Sequence, residues 1–458
     1  MLNAGQNIKR ALLIVGDVII FEASLLATLL IRYQTISAQN WNQHVWPFAL
    51  ITFFWIAGFY IAGLYDLTLI RDRMKFFRTY IEAMLANLAI AVAFFYLIPV
   101  FTIAPRTNLF LHFALSLLLG YFWRILFGRF LAERFSRGNV LFIGPASEIR
   151  HLKELLRKSA LGLTLTTVVS TEGTSDPSLQ LHWISDVSRL QDVIKQDQIS
   201  TIVLGIRPDD VPEIKQALYA TLFSPIILLD RAEIEEATTG RIPLSYVSET
   251  WFLHHLRESD KKWYEGVKRA IDVVLAIPFG LLTLVCFPFI AIVIKLSSRG
   301  PILYSQIRVG KNGRMIRIWK FRTMRPDAES SGPQFTTNAK TDPRLFTAGR
   351  IFRQLRLDEL PQIWNVLRGD LSLIGPRPER PEFVTPLVHR MPYYALRHLT
   401  RPGLTGWAQV KFLTPTSSLE DNLTKLQYDL FYVKNRSLIL DLAILLKTVG
   451  IVIRRQGT

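Results

Sequence analysis

Four apolar stretches crowd the first third of the chain, and each approaches the roughly 20 residues that cross a hydrocarbon core of about 30 Å. They run about from Ala11 to Ile31, Trp46 to Leu64, Tyr80 to Phe101 and Leu109 to Phe127, with Trp41, Trp46, Tyr65 and Trp123 near their ends as interfacial anchors. Four transmembrane helices are predicted. The first run carries Asp17 and Glu22, is too polar and too long for a cleavable signal peptide, and has no small-residue cleavage site after it, so it is expected to stay as an anchor. Acids at that depth are functional candidates by default. The favoured reading is that they bond neighbouring helices, with transport as the other.

Loop charge sets the expected orientation. Lys9 and Arg10 precede the first run, Arg71, Arg73, Lys75 and Arg78 fill the second loop, and Arg124, Arg129, Arg134 and Arg137 flank the fourth exit. The opposite loops hold little beyond Arg32 and Arg106. By the positive-inside rule the N-terminus and everything after Arg137 face the cytoplasm. Lys and Arg number 54 against 37 Asp and Glu, a net charge of +17 that suits nucleic acid, anionic headgroups or phosphorylated substrates without choosing among them. Half of the chain is hydrophobic, which excludes a disordered or collagenous protein, and a lone cysteine, Cys286, excludes an intramolecular disulfide and a thiolate zinc cage.

From Asn139 short apolar runs alternate with polar helical stretches. Val140 to Ile143, Leu163 to Val169, Thr201 to Leu204 and Ile226 to Leu229 read as strands, and Glu148 to Leu156 as a helix, which predicts a parallel, Rossmann-like sheet. A dinucleotide fingerprint needs three glycines, yet Gly144-Pro145-Ala146-Ser147 supplies one; Glu172 imitates the ribose-binding acid only by spacing. A structural or regulatory module is favoured over nucleotide binding.

A fifth apolar run, Ala270 to Ile294, is about 37 Å long as a straight helix. Basic residues stand on both sides of it (Lys261, Lys262, Lys268 and Arg269 before; Lys295, Arg299, Arg308 and Lys311 after), and Pro278 and Pro288 lie inside. A helix that enters the bilayer, breaks and returns accommodates both facts, against an ordinary fifth span with tolerated prolines.

The chemistry is concentrated after Lys295. Gly300-Pro301 leads through Gln306, Arg308, Gly310 and Gly313 to Lys320-Phe321-Arg322-Thr323-Met324, where strand alternation puts Lys320 and Arg322 on one face, able to hold adjacent phosphate oxygens. Arg350, Arg353 and Arg356 recur beside an apolar stripe of Ile351, Phe352 and Leu355, the pattern of an amphipathic helix that Pro361 ends near Asp358-Glu359. Adjacent acids among cations suit phosphoryl chemistry: one carboxylate attacks phosphorus, or both hold Mg2+. A surface ion-pair cluster is the plain alternative. Pro376-Arg377-Pro378 fixes one guanidinium in a stiff turn, and Arg401-Pro402-Gly403-Leu404-Thr405-Gly406-Trp407-Ala408-Gln409 combines turn glycines, a ring and polar donors, as a base or sugar pocket would, with Arg401, Thr405 and Gln409 as its candidates. Leu438 to Arg455 reads equally as an interfacial helix or a packing helix.

Taken in order, Lys268-Arg269 and Asp272, Gly300-Pro301, Lys320 to Met324, Asp358-Glu359-Leu360-Pro361-Gln362, Gly375 to Pro378 and Pro402 to Val410 resemble the bacterial sugar transferase family, the polyprenyl-phosphate hexose-1-phosphate transferases. The resemblance covers about the last 190 residues; the four-helix start and Rossmann-like module match the large membrane forms in layout. It implies transfer of a sugar-1-phosphate from a UDP-sugar to undecaprenyl phosphate at the cytoplasmic face of the bacterial inner membrane, with release of UMP, as the first membrane step of exopolysaccharide, capsule or O-antigen synthesis. It also implies Asp358 as nucleophile, Glu359 as a partner in binding Mg2+, and Lys320, Arg322, Arg353 and Arg377 as phosphate contacts. A serine often found before the family's kinking proline is here Ile277, before Pro278. The expected organisation is a transmembrane domain over 1–137, a Rossmann-like cytoplasmic module over 138–250, a linker over 251–266, a re-entrant membrane helix over 267–296 and a monotopic catalytic domain over 297–458. Membrane lipids are expected partners and nucleic acid is not; a homo-oligomer is compatible with the sequence. A membrane-anchored nucleotide-sugar dehydratase or reductase would need a fuller glycine fingerprint and a Tyr-x-x-x-Lys pair, and neither occurs near Gly144 to Tyr246.

Overall fold

The apolar stretches of the first third form helices. In the computed structural model, which describes residues 2–67, 69, 73–97, 106–131, 138–159, 162–172, 176–184, 189–206, 211–221, 224, 226–247, 249–256, 261–326, 328, 342–413, 416 and 418–454, they are α1 (Leu2–Tyr33), α2 (Ala38–Ala62), α3 (Arg73–Leu97) and α4 (Arg106–Leu126). Phe101 of the expected spans, and Arg71, Arg134, Arg137 and Arg455 of the expected basic flanks, lie outside the described residues. Ser37 caps α2, its hydroxyl accepting from Asn40 N, and Gly63 ends it in the left-handed conformation with φ of 84°. Without a hydrophobic drive between helices in lipid, close packing and interhelical hydrogen bonds hold such elements together. Both are present: Gly58 leaves room for Asn87, whose amide donates to Trp55 O while the Trp55 indole donates to Asn87 O. Asp17 pairs with Arg124 and accepts from the Tyr65 hydroxyl at 2.8 Å, and Glu22 accepts from Thr52 at 3.2 Å. Both acids of the first run therefore bond neighbouring segments.

The next residues build a five-stranded parallel sheet in the order β3-β2-β1-β4-β5, from β1 (Gly138–Gly144), β2 (Leu163–Ser170), β3 (His182–Ile184), β4 (Ile199–Leu204) and β5 (Ile227–Asp230). Four of these are the strands expected; β3, three residues long, is too short to leave a pattern. Helix α5 (Ala146–Lys158) follows β1. A Cβ on Gly144 would meet the Phe142 ring at 2.6 Å, and the same holds at Gly205, so these glycines make room for a buried ring. Glu172 accepts from Ala146 N at 3.2 Å, placing a protein carboxylate at the start of α5, where a dinucleotide site holds a phosphate.

Two compact units divide between Thr239 and Gly240. Ile242, Leu244 and Val247 pack into the core of the second. The second unit is organised on α6 (Lys262–Ser297), a 36-residue helix with both prolines inside. Its buried residues Tyr264, Lys268, Asp272, Ala276 and Gly280 recur every fourth position, a single stripe. That stripe is anchored at both ends. Lys268 pairs with Asp441 at 2.7 Å and Asp272 accepts from Leu373 N, while Ile290 and Ile294 pack on Phe321, Phe346 and Phe352. The other faces leave Val274, Leu281, Leu284, Val285, Phe289 and Leu296 exposed. Among the described residues five helices are long and apolar enough to cross a membrane: α1 to α4 and α6.

On the stripe rest the antiparallel hairpin of β6 (Leu303–Val309) and β7 (Met315–Phe321), helix α7 (Thr347–Gln354), a 3-10 turn over Leu357–Gln362, helix α8 (Ile363–Arg368), and the short parallel pair β8 (Ser372–Ile374) and β9 (Gly403–Thr405). Helix α9 (Leu438–Ile453) closes the described chain; it buries Asp441, Ala443 and Ile444 and leaves Ile439, Leu442 and Ile453 exposed, so it both packs and presents an apolar face.

Candidate active site

The amphipathic arginine helix ends sooner than expected. After α7 stops at Gln354, Arg356 takes the left-handed conformation (φ 58°) and the chain re-enters a separate 3-10 turn that carries Asp358 and Glu359. Leu357 and Leu360 pack into the Phe321 and Phe352 cluster and Pro361 is buried, so the turn is fixed from beneath and both carboxyls face the cations around it. β7 supplies Lys320 and the proline loop supplies Arg377.

The two acids are treated very differently. Glu359 Oε1 accepts from Lys320 Nζ at 3.0 Å and from Arg377 Nη2 at 2.9 Å, and Oε2 stands 3.7 Å from Arg356 Nη1. Asp358, nearly buried, makes no hydrogen bond among the described residues. Burial alone would raise Glu359, but Lys320, Arg377 and Arg356 outweigh it and hold the carboxyl well below the ordinary range. For Asp358 burial, joined by the charge of Glu359, prevails over Lys320, Arg353 and Arg356 and pushes the carboxyl up. Burial lowers Lys320 and Arg353 despite the neighbouring acids, whereas Glu359 raises Arg377. A carboxylate made more basic and left without donors is a better nucleophile than an ordinary aspartate.

Lys320, Arg353 and Arg377 thus stand around the dyad. Arg322 does not. β7 ends at Phe321, the alternation stops there, and the Arg322 guanidinium donates instead to the carbonyls of Arg299 (2.5 Å) and Ser298 (2.8 Å) at the end of α6. Gly300, at φ 125°, is required beside it, since a Cβ would meet Arg322 Nη1 at 2.5 Å. Arg401, Thr405 and Gln409 make their contacts with residues other than the dyad. Arg401 faces Glu265 at 3.8 Å, Thr405 shares a hydroxyl contact with Thr448 of α9 at 2.7 Å, and Gln409 donates to Leu404 O. Their polar groups tie β9 and its flanks to the helices beneath.

The sequence motifs missed the residues that hold the proline loop. Two prolines remove donors from Pro376-Arg377-Pro378, and each of its three carbonyls accepts from outside: Pro376 O from Gly403 N at 3.0 Å, Arg377 O from Arg397 at 3.0 Å, Pro378 O from Arg308 at 3.2 Å. Arg397 is itself buried and paired with Asp429 at 2.7 Å, and Glu379 faces Arg308 and Lys425 at 3.9 and 3.7 Å. The loop composition signals a need for donors but not which side chains meet it. Asp342, which is 2.7 Å from Arg344 and 4.0 Å from Arg353, was likewise without a motif.

Among the described residues no group of three or more His, Cys, Asp or Glu forms a metal cage. Mg2+ that keeps waters and substrate phosphates needs only one or two carboxylates. Asp358, with no hydrogen bond, and Glu359 Oε2, beyond hydrogen-bond distance of Arg356, offer that set, so the residues fit such an ion.

Residues 263–455 match the family described as bacterial sugar transferase. Over 261 residues the chain is 39% identical to the UDP-N-acetylgalactosamine-undecaprenyl-phosphate N-acetylgalactosaminephosphotransferase of Aeromonas hydrophila, covering 56% of this chain and 59% of that protein. It is 38% identical to the UDP-glucose:undecaprenyl-phosphate glucose-1-phosphate transferase of Escherichia coli over 40% of this chain and 39% of that protein. With the protein of the same name from Caulobacter vibrioides it shares 42% identity over 40% of this chain and 68% of that protein. The chain spans about half the length of these curated relatives.

Proposed function

The chain belongs to the bacterial sugar transferase family, and from that premise we propose that it transfers a sugar-1-phosphate from a UDP-sugar to undecaprenyl phosphate. An Asp358 carboxylate oxygen attacks the phosphorus that bears the sugar, the bond from that phosphorus to the bridging oxygen breaks, and UMP leaves. An oxygen of the lipid phosphate then attacks the same phosphorus, the carboxylate departs, and the lipid carries the sugar diphosphate. The observation that carries this reading is the division of labour in the dyad: Glu359 engages Lys320 and Arg377 while the carboxyl of Asp358, beside the same cations, takes no hydrogen bond among the described residues.

Lys320, Arg353 and Arg377 bind the diphosphate and orient the phosphorus toward Asp358. Mg2+, held by Asp358 and Glu359, would neutralise charge on the leaving phosphate. Two features support placing the reaction at the cytoplasmic face of the bacterial inner membrane: the basic loops of the first helices, and a long apolar helix, α6, with both ends on one polar unit. Contacts near both of its ends with one polar unit support a re-entrant rather than a spanning α6, although Lys262–Ser297 runs as one helix without a break, and in that reading α1 to α4 span as a bundle. The relatives' names make UDP-glucose and UDP-N-acetylgalactosamine the first donors to test. Incubation with donor labelled in the sugar is expected to leave an acid-linked adduct on Asp358 and release UMP. Asp358→Asn is expected to abolish both, and full UMP release by that variant would reject the nucleophile.

A further inference from the structure

At the end of α6 lies a second basic site that the chemistry above does not use. A cavity of about 640 Å³ is lined by Ser297, Ser298, Arg299, Arg325, Thr347 and Arg350 among others, with no acid among the described residues of its wall. Most cations near the dyad have carboxylates: Arg344 and Arg353 face Asp342, and Arg356 and Arg377 face Glu359. Arg299, Arg325 and Arg350 have none among the described residues, and the Nε of Arg350 is buried without a partner. An uncompensated arginine group of this kind lowers its energy by taking an oxyanion.

The surroundings say which kind. The wall is stiff, because Arg322 clamps the carbonyls of Ser298 and Arg299. The flanks are apolar and open: Leu296, one residue before the cavity, is 82% exposed, and Ile351, one residue after Arg350, is 53% exposed. A basic cavity between exposed apolar side chains matches the phosphate level of a bilayer, with acyl chains on the flanks and a headgroup in the cavity.

We propose that this cavity seats the phosphate of an anionic membrane phospholipid and so fixes the height and tilt of α6 in its leaflet. The inference rests on the membrane placement of α6 given above but not on the sugar transfer. Each basic residue near an anionic surface contributes roughly a factor of five to partitioning, so removing three costs on the order of 100-fold.

The test titrates labelled phosphatidylglycerol into the full chain in neutral detergent micelles, with phosphatidylcholine and inorganic phosphate as competitors. Wild type is expected to prefer phosphatidylglycerol over phosphatidylcholine. The variant Arg299→Gln/Arg325→Gln/Arg350→Gln is expected to lose that preference by about 10- to 100-fold, and Arg325→Gln alone, on an exposed position that tolerates change, by about fivefold. A control with Lys311→Gln, Arg314→Gln and Arg317→Gln, on the exposed β6–β7 turn and strand, removes the same charge and is expected to change binding less than twofold. Equal loss in the control, or an unchanged preference in the cavity variants, overturns the site. Complete competition by inorganic phosphate, with no preference between the lipids, overturns the headgroup assignment in favour of a soluble oxyanion. UMP release is read on the same samples: lipid preference without any release rejects the proposed transfer and leaves the cavity assignment standing, whereas release with no lipid preference does the reverse.

Discussion

Of the buried sites that pair carboxylates with arginine, two, one in each unit, do it in different proportions. In the first unit Asp17 meets Arg124 one to one; the guanidinium also donates to Leu64 O and lies 4.9 and 5.1 Å from the Phe59 and Tyr65 ring centres, with both charged side chains sealed from solvent. In the second unit Asp358 and Glu359, two acids, feel four cations, Lys320, Arg353, Arg356 and Arg377. The first cluster is neutral and closed, as a structural link between membrane helices must be where an unpaired charge is costly. The second carries a positive surplus that a diphosphate of about two negative charges would cancel. The teaching is that burial and perturbation alone do not mark a reactive acid; an unbalanced charge count and an acid left without donors do.

The comparison is broken most severely at Glu359. With Glu359→Gln, Lys320, Arg356 and Arg377 lose the counter-ion they share, and Asp358 remains as the one acid of the dyad beside them. It would be drawn into ion pairs and its basicity would fall. A loss of on the order of 10²-fold in UMP release is expected, with the thermal midpoint little changed. Activity within twofold of wild type would mean that Glu359 does not keep its neighbour free.

Lys320→Met sharpens the same point through pH. Burial and Glu359 already push Asp358 up, and Lys320 opposes them, so its removal pushes the carboxyl further up. Only the ionised form attacks. The acidic limb of the kcat/KM profile is therefore expected to start above the ordinary aspartate range of about 3.9 in wild type and to move to higher pH in the variant, with a roughly tenfold lower plateau from the lost phosphate contact. A limb that stays put or moves down would separate that titration from Asp358. A smaller effect belongs to Arg397→Gln, which releases the Arg377 carbonyl and also strands Asp429, its buried partner: about tenfold in kcat with a lower unfolding midpoint, the position of the acidic limb unchanged, and partial rescue of both by Arg397→Lys.

How much of this was legible in the sequence follows from what each pattern encodes. Apolar length and strand-helix alternation are local, so the membrane-type helices and four of the five strands could be read directly. The dyad, Lys320, Arg353 and Arg377 were legible because a motif keeps them close in the chain or rigid within it. Arg322 was misplaced because alternation holds only while the strand continues, and Phe321 is its last residue. Arg401, Thr405 and Gln409 looked like a pocket because glycines and polar donors are common to pockets and to tight packing; contacts with Glu265 and Thr448, distant in sequence, decided for packing. Arg397 was invisible for the same reason: its partners Arg377 and Asp429 lie 20 and more residues away and no periodicity joins them.

The neutral cluster gives the smallest expected effect on chemistry and the clearest one on stability. Asp17→Asn removes the counter-charge of Arg124 while preserving shape, and an unpaired buried guanidinium costs about 3–5 kcal/mol when its partner is lost. A lower unfolding midpoint in detergent is expected, with UMP release per folded molecule within twofold of wild type. Adding Arg124→Met removes the stranded charge as well, and since a well-packed apolar pair often equals or exceeds a buried ion pair, the double variant is expected to recover most of the lost stability. If instead both variants lose activity in proportion to one another while remaining folded, Asp17 takes part in the reaction or its regulation, and the contrast between a balanced structural pair and an unbalanced reactive one fails.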